Sequence, residues 1–265
     1  MEPTIIERPS YGVAVSALTI LPIIGMGEIQ PGQDLAGLAI AAAAKSGERF
    51  LTGDVVSVAQ KAVSKMEGRL RRLADIEPGV EARRMAAEWP EKDARAIQAV
   101  LDESVRIVRW TNGILITETR HGFVCANAGV DRSNAGAQDT LVLLPFDPDA
   151  SAARLRARFI EAAGADVAIV ITDTFGRAWR EGQVNVAIGI AGLPALERYQ
   201  GRTDADGYEL RITEMALADE VAAATELVQR KLERCPVAIV RGLTWSGAPE
   251  TARAYVRPAE RDLFR

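Results

Sequence analysis

Two aspartates set the terms for any chemistry in this chain. Asp131 lies in a run of small residues, HGFVCANAGVDRSN (121–134), and Asp173 follows the apolar run VAIVI (167–171), with Thr174 directly after it. Each apolar run reads as a buried strand that ends in its aspartate, and acidic residues at strand ends can share a divalent cation. Thr174 adds a third hard oxygen. Magnesium and manganese accept such donors and complete their shells from water and phosphate. Residues 25–35 (GMGEIQPGQDL) hold glycines whose bare backbone lets N–H groups approach a ligand closely. Residues 54–69 (DVVSVAQKAVSKMEGR) place Lys61 and Lys65 one helical turn apart, on one side, just after an apolar strand. Such ammonium groups can neutralise phosphate charge. Asn134 is placed to hydrogen-bond a base, ribose or phosphate, and Arg177 and Arg180 can meet anionic substrate groups.

Each segment also has a plainer reading. These are a strand-to-helix turn for 25–35, a solvated helix face for the lysines, and a strand cap with surface arginines for 172–185. His121, the only histidine, reads as a loop hydrogen-bonding partner rather than a general base. The chain has no GxxxxGK[ST] phosphate loop and no GxSxG elbow, and one histidine excludes HExxH zinc chemistry. The start GMGEIQ lacks the third glycine of a dinucleotide fingerprint. Taken together, the segments describe a site for a metal-bound polyphosphate and an anionic co-substrate. Phosphoryl transfer needs little beyond positioned cations and a positioned nucleophile. Spacing does not name the acceptor.

Strands are expected over 13–18, 54–59, 105–109, 114–119, 123–125, 140–144, 168–172, 184–190 and 237–241. Helices are expected over 34–45 after the Asp34 cap, 79–89, 92–103, 147–163 and 213–233. Residues 60–69 read as a polar turn or short helix, Asn112-Gly113 as a hairpin, and Gly164 as a helix stop. The tail from Gly247 reads as wrapped on the surface. Helices and strands mix without strict alternation, which predicts an α+β fold with mixed sheets and flanking helices, in one domain over 1–265 with room for two lobes.

With 265 residues, 48% of them apolar and 26% charged, the chain has the composition of a globular protein with a sizeable core. Its net charge of -4 and dispersed Lys/Arg argue against a nucleic-acid partner. Two distant cysteines fit a reducing cytosol rather than a disulfide framework. The apolar run 13–25 is too short to span a membrane, and Glu2, Glu7 and Pro22 argue against a secretory signal.

The stretches 25–35, 54–69, 121–134, 143–156 (LLPFDPDASAARLR), 171–193 (ITDTFGRAWREGQVNVAIGIAGL) and 237–243 (VAIVRGL) resemble, in order, the coenzyme F420-0:L-glutamate ligase family. The resemblance implies a cytoplasmic, GTP-dependent ligase, with nucleotide preference over ATP left open. It would phosphorylate the terminal carboxylate of the deazaflavin precursor's side chain, let the L-glutamate amine displace phosphate, and add further gamma-linked glutamates in some members. It also implies Mg2+ or Mn2+, K+, and an intertwined homodimer with a fold of its own. By motif, Asp131, Asp173 and Thr174 fall on metal residues. Lys65 and Asn134 fall on nucleotide contacts, Gln60 and Lys61 on a pair lining the site, and Met26, Gly27, Glu28 and Ile29 on a nucleotide loop. Asp131, Asp173 and Lys65 are the catalytic expectations.

Two departures stand out. Met26-Gly27 replaces a common Leu-Pro. Residues 229–235 (QRKLERC) lack the glycine of a loop, often Met-Gly-Lys, that in many members contacts nucleotide and a second metal, so the preceding helix is expected to continue through them. Two other readings fit the same motifs: a related acid–amine ligase with another substrate, and a non-catalytic nucleotide-binding relative.

Overall fold

A computed structural model describes residues 17–132 and 139–262. In chain order its elements are β1 (Thr19–Ile23), α1 (Leu35–Lys45), β2 (Val55–Ala59), α2 (Gln60–Met66), β3 (Leu70–Arg72), α3 (Val80–Glu88), α4 (Ala94–Asp102), β4 (Ser104–Thr111), β5 (Ile114–Thr119) and β6 (Val124–Ala126). There follow β7 (Thr140–Val142), α5 (Pro148–Ala163), β8 (Ala168–Arg177), β9 (Arg180–Ala191), β10 (Glu197–Arg198), β11 (Glu214–Met215), α6 (Leu217–Gln229) and β12 (Val237–Arg241). The class is mixed α+β, as the element pattern predicts.

The main sheet has the order β1-β12-β2-β8-β9, and its β2/β8 pair alone is parallel. Successive strand residues point to opposite faces, and both faces are covered. Val56, Val58, Ile169 and Ile171 pack under α1 and α5, through Leu35, Ala39, Leu155 and Phe159. Val55, Val170 and Val240 pack under α6, through Leu217, Val221 and Ala222. This double burial explains why the strands read as unbroken apolar runs. A second region sets the β4-β5-β6 sheet against α3 and α4 through Met85, Ile97, Val100 and Leu115. Caps lie where the sequence puts them. Asp34 accepts from the Gly37 N–H at 3.1 Å, Asp147 from the Ala150 N–H at 3.0 Å, and Gly164 ends α5 in the left-handed region at φ 64°. The tail does wrap, with the Glu250 carboxylate accepting from the N–H groups of Ala195 and Leu196. Among the described residues no helix is long and apolar enough to cross a membrane.

Three expectations need correction. The first strand is Thr19–Ile23 rather than 13–18, of which 13–16 lies outside the described residues. Pro22 fits inside it because β1 is a sheet edge, where a missing N–H costs no ladder bond. Asp173 does not end its strand: β8 runs on to Arg177, paired with β9. The last long helix is Leu217–Gln229, not 213–233, and it does not continue through 229–235. Arg230 leaves helical geometry at φ 49° and Arg234 turns the chain again at φ 50°, so this loop turns without a glycine.

Candidate functional site

Beyond its last pair with β2, Ala59 with Thr172, strand β8 continues against β9 alone. At that step opens a cleft of about 620 Å³. Its lining includes Gly27, Glu28, Ile29, Lys61, Asp131, Asp173 and Thr174, together with Asn185, Glu226, Arg230, Lys231 and Arg234. Asp131 and Asp173, 42 positions apart in sequence, therefore face one space.

Local backbone geometry brings Asp131 there. Asn127, Ala128 and Gly129 all adopt positive φ, at 54°, 51° and 70°, and swing the chain from β6 toward β7. A Cβ on Gly129 would lie 2.7 Å from the Leu144 side chain, so glycine is required. Asp131 then exchanges two backbone hydrogen bonds with Val142, at 3.0 and 2.8 Å. Its carboxylate meets the Lys61 ammonium at 2.6 Å. Lys61 reaches it from the first turn of α2, which starts directly at the end of β2.

Asp173 is half-buried on β8, opposite Val186. Burial above all pushes its carboxyl up to about 6; the Thr174 N–H and Lys61 pull it back, Asp131 adds to the rise, and Lys231 opposes it. A partly desolvated carboxylate beside a second carboxylate gains from a cation. Next to it a polar chain crosses to α6. The Thr174 hydroxyl accepts from Lys231 Nζ and donates to Asn185 Oδ1, both at 2.7 Å, and Asn185 Nδ2 donates to Glu226 Oε2 at 2.7 Å.

The remaining expected residues divide. Gly27, Glu28 and Ile29 line the cleft, whereas Met26 packs in the main core. Gln60 also lines it, with its amide committed to Ser64 Oγ at 2.6 Å and the Leu143 carbonyl at 3.1 Å. Lys65, 7% exposed, is not on the cleft wall but bonds to Glu28, which is. Asn134 lies outside the described residues. Arg177 and Arg180 sit at the exposed end of the β8–β9 hairpin. His121 is a loop tie: Nε2 meets the carbonyls of Pro145 and Phe146 at 3.1 Å each, and burial lowers its pKa, which keeps the ring neutral. Cys125 and Cys235 are free, buried thiols; burial first, then Asp173, pushes Cys125 up to about 12.

Reading the sequence missed Asn185 and Glu226, and it drew no site residue from 229–235 because that segment lacks the family's glycine. Besides the place of this segment in the family pattern, its charge density was a signal, with Arg230, Lys231 and Arg234 within five positions. Among the described residues no group of three or more His, Cys, Asp or Glu converges as a metal cage. Two carboxylates and a hydroxyl are instead the sparse oxygen set that suits magnesium or manganese with phosphate and water as the other ligands. The donor set fits such an ion.

A family profile described as F420-0:Gamma-glutamyl ligase matches residues 23–242. A "Coenzyme F420:L-glutamate ligase" of Methanopyrus kandleri is 46% identical over 94% of this chain and 98% of its own length. Proteins with the same name from Methanothermobacter thermautotrophicus and Archaeoglobus fulgidus are 41% and 40% identical, covering 94% and 93% of this chain and 99% and 96% of their own.

Proposed function

This chain belongs to the F420-0:gamma-glutamyl ligase family, and on that premise we propose that it forms an amide between the deazaflavin precursor F420-0 and L-glutamate, driven by GTP. A free carboxylate is a poor electrophile because its charge repels an incoming amine. Transfer of the γ-phosphoryl of GTP to a carboxylate oxygen removes that charge and releases GDP. The glutamate amine then attacks the acyl carbon, and phosphate leaves with the bonding pair. Charge crowds around the transferring phosphoryl, and catalysis consists mainly of offsetting it.

The observation that carries this reading is the meeting of Asp131, Asp173, Thr174 and Lys61 on one cleft. Asp131, Asp173 and Thr174 would hold Mg2+ or Mn2+, which supplies charge neutralisation for the triphosphate. Lys61 holds Asp131 in place at 2.6 Å and adds a positive charge beside Asp173. Lys65 pairs with Glu28 and so steadies the glycine-bearing loop. Arg230, Lys231 and Arg234 face the same space and supply cations for phosphate or carboxylate groups. A K+ requirement, addition of further gamma-linked glutamates and a homodimer complete the reading.

The test is mass spectrometry of a reaction containing F420-0, L-glutamate, GTP, Mn2+ and K+. The expected result is a product heavier by one or more glutamyl units, with GDP and phosphate formed in step with each. Turnover of a different acid–amine pair, with none here, would replace this reading by the related-ligase one. GTP binding without any product would leave a non-catalytic relative.

A further inference from the structure

From Asp173 onward β8 pairs only with β9, so the hairpin extends beyond the sheet as a two-stranded ribbon. Arg177 pairs with Arg180, and Ala178-Trp179 make the turn. Trp179 holds φ 59°, a left-handed conformation that turns normally give to glycine or asparagine, and it is 80% exposed. A large aromatic residue there is mostly turned to solvent and bears a backbone cost. Arg180 is exposed beside it, whereas the Arg177 guanidinium is tied back to the carbonyls of Glu181 and Gly182. A recess of about 560 Å³ lies among these residues. Gln183 lines both this recess and the Asp131–Asp173 cleft, so the two share a wall.

We propose that this hairpin tip is the acceptor platform: the Trp179 indole stacks on the planar aromatic head of the deazaflavin precursor, and Arg180 pairs with its phosphodiester. The proposal rests on the ligase reading above. Its chemistry follows from the substrate, a fused aromatic ring system joined through an anionic linkage to the reacting carboxylate. An exposed indole offers a π-face, and a neighbouring guanidinium offers a planar cation for phosphate. The ribbon also measures the reach. At about 3.3 Å per residue, the four steps from Asp173 to Arg177 span about 13 Å, which keeps the head well away from the reacting end. The ends of the acceptor would thus be read at two places on one hairpin.

The test compares wild type with Trp179→Ala, Trp179→Phe and Arg180→Gln. F420-0 binding is read by the polarisation of its own fluorescence, GTP binding by calorimetry, and assembly by sedimentation. Trp179→Ala is expected to weaken F420-0 binding at least about fivefold, the low end for loss of one stacked aromatic contact. Its GTP affinity and thermal midpoint should stay as in wild type. Trp179→Phe should recover most of the loss, and Arg180→Gln should weaken binding and flatten its salt dependence. Undiminished F420-0 affinity in Trp179→Ala overturns the platform. So does a change in its sedimentation with F420-0 affinity intact, which would assign the indole to a second copy of the chain. Wild type that binds GTP but not F420-0 fails the ligase reading itself, and the platform with it.

Discussion

Replacing Asp173 by asparagine is expected to stabilise the metal-free protein while abolishing its response to metal. The Asp173 carboxyl is held at about 6 against 3.8 for the free side chain, mostly by burial. About two decades of proton affinity correspond to about 3 kcal/mol of folding stability forgone once both folded and unfolded forms are ionised. The sign follows from proton counting. Between about pH 4 and 6 the folded chain holds the proton and the unfolded chain does not, so stability falls as pH rises through that window and stays low above it. The asparagine side chain carries no charge to desolvate and keeps a polar group for the cleft. Allowing for water at the cleft mouth, the gain at pH 7.5 is about 1–3 kcal/mol, or roughly 2–10 °C in the unfolding midpoint for a chain of this size. Thermal melts in chelator check it, repeated at pH 5, where the advantage should shrink. Millimolar Mn2+ should then raise the wild-type midpoint, by about 2.7 kcal/mol at a hundredfold excess over its dissociation constant, and leave Asp173→Asn unmoved. A variant less stable than wild type in chelator, or an advantage independent of pH, would refute the account of Asp173 as a partly desolvated carboxylate held for a cation.

Gly129→Ala should destabilise the fold by about 2–4 kcal/mol, since its Cβ meets Leu144 at 2.7 Å and φ is 70°. It should also shift Asp131, so Mn2+ should raise its midpoint less than that of wild type. Arg241→Ala should cost about 3–5 kcal/mol in denaturant unfolding, because Asp54, 2% exposed, would lose both guanidinium bonds, at 2.9 and 2.8 Å. Adding Asp54→Asn should return part of that loss, and a double variant as unstable as Arg241→Ala would show that the charge was not the cause.

The helices and the sheet core were legible in the sequence because their signals are local. Asp34 and Asp147 cap the helices they precede, and Gly164 stops one. The apolar runs through Val56 and Ile169 are sheet core because both faces are covered. The misses have long-range causes. The length of β8 depends on β9 pairing beyond Asp173, and nothing within 168–173 encodes that partner. Helix α6 ends at Gln229 because Arg230 adopts φ 49°, a conformation residue type alone does not announce in arginine. Asn185 and Glu226 join the site only through the hairpin register and the docking of α6, so neither could be found from spacing.

The position of the cleft follows from the single parallel pair. In open sheets, ligands collect where the carboxyl ends of strands lie side by side and their connections part. Among neighbouring strands of this sheet only β2 and β8 run the same way, because β12 is antiparallel to β2 and β9 is antiparallel to β8. At the common end of β2 and β8 the chain does two different things. After β2 it turns at once into α2, which brings Lys61 to the opening. After Thr172 it stays extended, which carries Asp173 and Thr174 past the last β2 pair. A cation and a carboxylate thus reach one opening from two strands by opposite means, one by turning and one by continuing. The β6–β7 connection then needs only to deliver Asp131, and the left-handed run 127–129 does so. Shortening the extension of β8 would remove half of this arrangement while leaving the β2–β8 pairs in place, at the cost of the core contacts of Phe175.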